Sequence, residues 1–166
     1  MSITENDALA ARVGALLSSR GARVAVMEST AGGLVSARIL SVPGASAWFD
    51  RGAVAYGGRS KQDMTGVDVE VLRTFGAVSP EAVAAMAEGL RAVARVDYAV
   101  AESGIAGPLG SRRSPKPVGS VSIAVAGPGG TRAEERVFPG TRVEVMAQIA
   151  ERCLEALVEA IEANTV

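Results

Sequence analysis

The chain has 166 residues, 48% hydrophobic and 21% charged, with seventeen basic against eighteen acidic side chains and a net charge of −1. This composition describes one compact globular unit, and it gives no global electrostatic case for nucleic acid or an anionic membrane surface as a partner. With no histidine and a single cysteine, a Ser-His-Asp triad, a Cys-His pair, imidazole-based zinc sites and an internal disulfide are all excluded.

Helical and strand patterns alternate along the chain. The polar, acidic start Met1-Ser-Ile-Thr-Glu-Asn-Asp7 lacks the basic-then-apolar order of a secretory signal. No apolar run nears the roughly 18 residues of a membrane span, so a cytoplasmic protein is expected. Leu9, Val13, Leu16 and Leu17 recur at helical spacing and predict a helix ending before Gly21. Arg23–Met27 reads as a strand that passes through Glu28-Ser-Thr-Ala-Gly-Gly33 into a helix over Leu34–Leu40, broken at Pro43-Gly44. Gly52–Tyr56 reads as a second strand, followed by short helical pieces around Ser60–Met64 and Asp68–Thr74.

Ser79-Pro80-Glu81 combines an N-cap, a proline at the first helical position and an acid at the positive end of the dipole. Val83, Met86, Ala87, Leu90 and Val93 then form the predicted buried stripe. Asp97–Glu102 is a third strand, and the stretch from Gly104 to Gly119 is too long for an ordinary connection. Ser120–Ala126 and Arg132–Phe138 flank Gly127-Pro-Gly-Gly130 as a hairpin. Thr141-Arg-Val-Glu144 is a capping box. The helix it opens turns Val145, Met146, Ile149, Cys153, Leu157 and Ile161 inward, and Cys153 reads as a small buried hydrophobe. The expected fold is a single-domain three-layer α/β/α sandwich with a mixed sheet.

In such folds ligands gather at the carboxyl ends of the strands. Two segments qualify. Glu28-Ser29-Thr30-Ala31-Gly32-Gly33 leaves a strand and opens a helix, where free amides suit a phosphate or carboxylate; an ordinary capped turn reads equally well. Ser103-Gly104-Ile-Ala-Gly107-Pro108 offers a hydroxyl and glycines at the next strand exit, with a mobile loop as the plainer reading. Dinucleotide and Walker motifs are absent, and no cofactor or metal is expected. Only Lys61 and Lys116 among the basic residues are lysines. In a chain without histidine a desolvated lysine is the natural proton carrier, although composition alone makes both of them surface residues.

Taken together, the motifs Glu28-Ser-Thr-Ala-Gly-Gly33, Pro43-Gly-Ala-Ser-Ala-Trp-Phe49, Gly52-Ala-Val-Ala-Tyr56 with Lys61, Gly76-Ala-Val-Ser79, Ser103-Gly-Ile-Ala-Gly-Pro108 and Lys116-Pro-Val-Gly119 resemble the CinA C-terminal domain family. They run in the family's order over nearly the whole chain, without the separate N-terminal domain of longer members. The resemblance implies an amidohydrolase that converts nicotinamide mononucleotide into nicotinate mononucleotide and ammonia by a serine/lysine mechanism. It also implies a small nucleotide substrate and a homo-oligomer. By carry-over, Ser46 falls at the nucleophile position, Lys61 at the base, and Ser103 as a third hydroxyl where the family has threonine. Tyr56 and Arg142 fall at substrate positions, together with Glu28, Ser29, Gly32, Gly33, Gly104 and Gly107.

On the residues alone, Ser29 at a strand exit rivals Ser46, and it is otherwise a ligand contact or helix cap. The 5′-phosphate suits either the Gly32-Gly33 helix start or a guanidinium. Backbone amides of a glycine turn suit the oxyanion. Trp48 and Phe49 read as site wall, subunit contact or core anchors. Three positions depart from the family: Thr30 and Ala31 stand for Cys-Thr, and Gly58 stands for asparagine. These departures support an alternative in which the chain is a catalytically weakened nucleotide-binding or regulatory member.

Overall fold

The computed structural model describes residues 7–110 and 114–164. The opening residues read above as no signal, and the middle of the long loop, lie outside them. Strands β1 (Val24–Glu28), β2 (Phe49–Val54) and β3 (Tyr98–Gly104) run parallel. Strands β4 (Ser120–Gly127) and β5 (Gly130–Val137) add an antiparallel edge, and the spatial order is β2-β1-β3-β4-β5. Every residue of β1 is buried, as expected for a parallel strand with helices over both faces.

Strand alternation divides the apolar residues between two cores. Val24, Val26, Tyr98 and Val100 face α1 (Ala8–Ser19), α2 (Leu34–Leu40) and α6 (Arg142–Ala163). Ala25, Met27, Ala99 and Ala101 face the other way, against α5 (Pro80–Ala94). On that second side α5 supports α3 (Gly58–Thr65) and α4 (Val69–Phe75). This is the expected three-layer sandwich. Among the described residues no helix is long and apolar enough to cross a membrane.

Several boundaries differ from the sequence reading. The second strand begins at Phe49, because Val24 N–H bonds Trp48 O and pairing starts there. Its end at Val54 frees the carbonyls of Ala55 and Tyr56 for another use. The third strand continues two residues further, to Gly104, where it still pairs with Val121. Val93 is 54% exposed and outside the buried stripe of α5. Trp48 and Phe49 are core residues, not site wall, and the Trp48 ring lies so close to Gly14 that a Cβ there would sit 2.7 Å from it.

Candidate active site

The pairing of Met27 with Ala101 sets Glu28 and Ser29 beside Glu102 and Ser103 at the carboxyl ends of β1 and β3. By alternation both acids point to the α6 side of the sheet and both serines to the α5 side. Lys61 reaches this point from the first turns of α3. Its Nζ lies 2.9 Å from Ser29 Oγ, 2.9 Å from Ala55 O and 2.9 Å from Tyr56 O. The side chain is only 3% exposed. Burial lowers the Lys61 pKa from its ordinary value, and the charge of Glu102 opposes that shift.

An open cavity of about 490 Å³ lies over this pair. Ser29, Lys61, Tyr56, Ser103, Gly104, Gly107 and Arg142 all line it. Thr30, read above only as a departure from the family, also lines it, and Ala77, Val78, Ile105 and Leu109, to which the sequence reading gave no individual role, are among the remaining lining residues. At the mouth, Arg142 donates through Nη1 to Gly107 O at 2.8 Å and through Nη2 to Tyr56 Oη at 3.2 Å. The capping box that starts α6 at Thr141 fixes the backbone beside this arginine.

Four expected site residues stand elsewhere. Ser46 is exposed in a 3-10 turn over Ala45–Ala47, just before Phe49, whose pairing with Val24 marks the opposite end of the sheet. The length of β1, roughly 16 Å at about 3.3 Å per residue, separates that rim from Ser29 and Lys61. The expected Ser46–Lys61 pair does not form, and Ser29 is the serine that meets the lysine. Glu28 is fully buried and holds its own helix: Oε2 accepts from Gly33 N at 2.9 Å and Val35 N at 3.0 Å, and Oε1 from Ser36 N at 2.9 Å and Ser36 Oγ at 2.6 Å. The start of α2 is thus already occupied by a carboxylate, and Gly32 and Gly33, which lie outside the cavity lining, have no amide array to offer a phosphate.

The amides of the turn are also spent. Glu102 Oε1 accepts from Ser29 N at 2.5 Å and Ala31 N at 2.9 Å, and Thr30 Oγ1 accepts from Gly104 N at 2.8 Å. Thr30 therefore braces one strand exit against the other. Gly58 opens α3 with nothing within 4 Å of where a Cβ would be, so that position is open. Among the described residues no three His, Cys, Asp or Glu side chains are gathered to hold a metal.

Comparison with known proteins agrees with this fold. The family model for the CinA C-terminal domain matches residues 6–161. A CinA-like protein of Anaeromyxobacter sp. strain Fw109-5 is 44% identical over 91% of this chain, which spans only 37% of that protein's length. The nicotinamide-nucleotide amidohydrolase PncC of Escherichia coli K12 is 44% identical over 99% of this chain and 100% of its own. The crystal structure of the competence damage-inducible protein A of Klebsiella pneumoniae superposes with a TM-score of 0.90 at 32% identity, covering 95% of this chain and 98% of that one.

Proposed function

The chain belongs to the CinA C-terminal domain family, and on that premise we propose that it hydrolyses the carboxamide of nicotinamide mononucleotide, releasing nicotinate mononucleotide and ammonia. The likeness to PncC along both chains supports the substrate. One observation carries the chemistry: a buried amine whose other two contacts are carbonyl oxygens stands 2.9 Å from a serine hydroxyl. A neutral lysine has two N–H bonds and one lone pair. Two carbonyls take the two donors, and the lone pair is left for the Ser29 O–H.

In this reading Lys61 takes the Ser29 proton as Oγ attacks the carboxamide carbon. Lys61 then returns that proton to the departing nitrogen, ammonia leaves, and an ester to Ser29 remains. Water, deprotonated by the same amine, cleaves the ester and restores the serine. The Ser103 hydroxyl, on the same face of the sheet, supplies a donor to the oxyanion, since the neighbouring turn amides are committed elsewhere. Arg142 at the mouth takes the 5′-phosphate, because the start of α2 is filled by Glu28. The same reading includes a cytoplasmic homo-oligomer, and sedimentation of the purified protein checks the assembly.

The test is ammonia release from nicotinamide mononucleotide in the presence of a chelator. Ser29→Ala and Lys61→Arg should each lose roughly 10²–10⁴-fold in kcat, arginine because it stays charged. Ser46→Ala should leave turnover unchanged. An active Ser29→Ala enzyme would sink the assignment of the nucleophile. Tight nucleotide binding without ammonia would turn the reading toward the binding module.

A further inference from the structure

Glu102 lies beneath the Ser29–Ala31 turn, on the far face of the sheet from Lys61, and the reaction above leaves it unused. The side chain is fully buried. Its Oε1 accepts both turn amides, and its Oε2 is the one buried side-chain polar atom without a partner among the described residues. An ionised carboxylate spreads its charge over both oxygens, so a bare Oε2 in an apolar interior is costly. A neutral carboxyl with its proton on Oε2 keeps Oε1 free to accept both amides.

The groups around it have opposed effects. Glu28 on β1 repels a charge on Glu102, Lys61 on α3 attracts it, and Cys153 on α6 is a buried neutral thiol. From β4 the residue opposite is Ile123. Burial, reinforced by Glu28 and opposed by the turn amides, raises the carboxyl to about 7.

We propose that Glu102 is a positioning residue for the Ser29–Lys61 pair: its carboxyl fixes the turn that carries Ser29, and its charge decides how tightly Lys61 holds a proton. With Glu102 neutral, Lys61 experiences burial alone and gives its proton to solvent readily. With Glu102 ionised, the ammonium is stabilised and the base is withdrawn. The two groups share one proton, and the form with that proton on Glu102 is the one competent for attack. Only the catalytic consequence rests on the amidohydrolase reading.

The chain's two lysines make the test direct. Lysine isotope-labelled at the ε-carbon should give two side-chain NMR signals, with Lys116→Arg identifying Lys61. In the wild type the Lys61 signal should show two inflections with pH, one near 7 from Glu102 and one of its own. Glu102→Gln keeps an acceptor for the turn amides. It should lose the first inflection and move the second about one pH unit lower. A single inflection in the wild type, or an unmoved Lys61 midpoint in Glu102→Gln, overturns the proposal. The wild-type curve decides alone if the variant does not fold. These measurements use no substrate, so a failed ammonia assay leaves them intact. Where turnover is present, the acid limb of kcat should move down in Glu102→Gln, while Glu102→Leu, which removes the bonds to the turn, should lower kcat at unchanged KM.

Discussion

Lys61 and Glu102 are both buried against their charged forms, so they act on stability in opposite directions as pH rises. Glu102 has an ordinary pKa of 4.5 and stands at about 7 in the folded protein. Below pH 4.5 both folded and unfolded chains hold the proton, and between the two values only the folded chain does. Stability therefore falls as pH rises through this window, by about 3 kcal/mol in full above pH 7. In thermal unfolding at a series of pH values, Glu102→Gln should gain on the wild type from about pH 4.5 to about pH 7 and then run parallel to it. Lys61 works in the other direction, adding stability as pH climbs from its lowered pKa to 10.5. Activity should rise through that lowered pKa, as initial rates of ammonia release will reveal. The absence of histidine pointed to a lysine as proton carrier, but composition alone read Lys61 as a surface residue, and its burial had to come from the fold. The role of Glu28 was not legible, because a carboxylate at a strand exit looks the same whether it meets a ligand or caps the helix that follows. Glu102 left one faint signal, an acid closing the otherwise apolar run Tyr98–Ala101.

Helix α3 is held in place by α5 at a contact without slack. A Cβ added at Gly89 would lie 1.9 Å from Thr65 O, and Thr65 Oγ1 donates to Lys61 O at 2.6 Å. Gly89→Ala should force the helices apart, costing about 1–3 kcal/mol and lowering kcat as Lys61 retreats from Ser29. Denaturant unfolding and turnover of the same preparation check both effects. At the other side of the cavity, Thr141→Val removes a cap worth about 1 kcal/mol and should raise KM through Arg142. Such caps, the start of α5 and the β4–β5 hairpin could be read from neighbouring residues, because their causes are local. The partner of Lys61 could not. Strand order β2-β1-β3 places the turn before β2 on the opposite rim from the turn after β1, and that order depends on contacts far apart in sequence. A short window sets Ser29 at a strand exit and Ser46 after a Pro-Gly turn, but it does not show which of them Lys61 meets.

The sheet separates two cores of unequal duty. Leu157 sits among α1, α2 and α6, whereas Met86 lies on the α5 side that supports α3. Either residue truncated to alanine should cost about 2–5 kcal/mol. Met86→Ala should also depress kcat in the folded protein, and Leu157→Ala should not; unfolding curves and rates at low temperature separate the two. The three-layer class was readable because helical segments separate β1, β2 and β3 and flank the sheet at both ends of the chain. The depth of the site was not, since it arises where two buried faces meet at one strand end. The scarcity of amines gives this depth a practical consequence. Lys116 is partly exposed beside Glu135, and Lys61, carried on α3, is only 3% exposed. An acylating reagent will mark the first at once and the second only when α3 shifts, so the ratio of the two labels times the breathing of that helix beside Ser29.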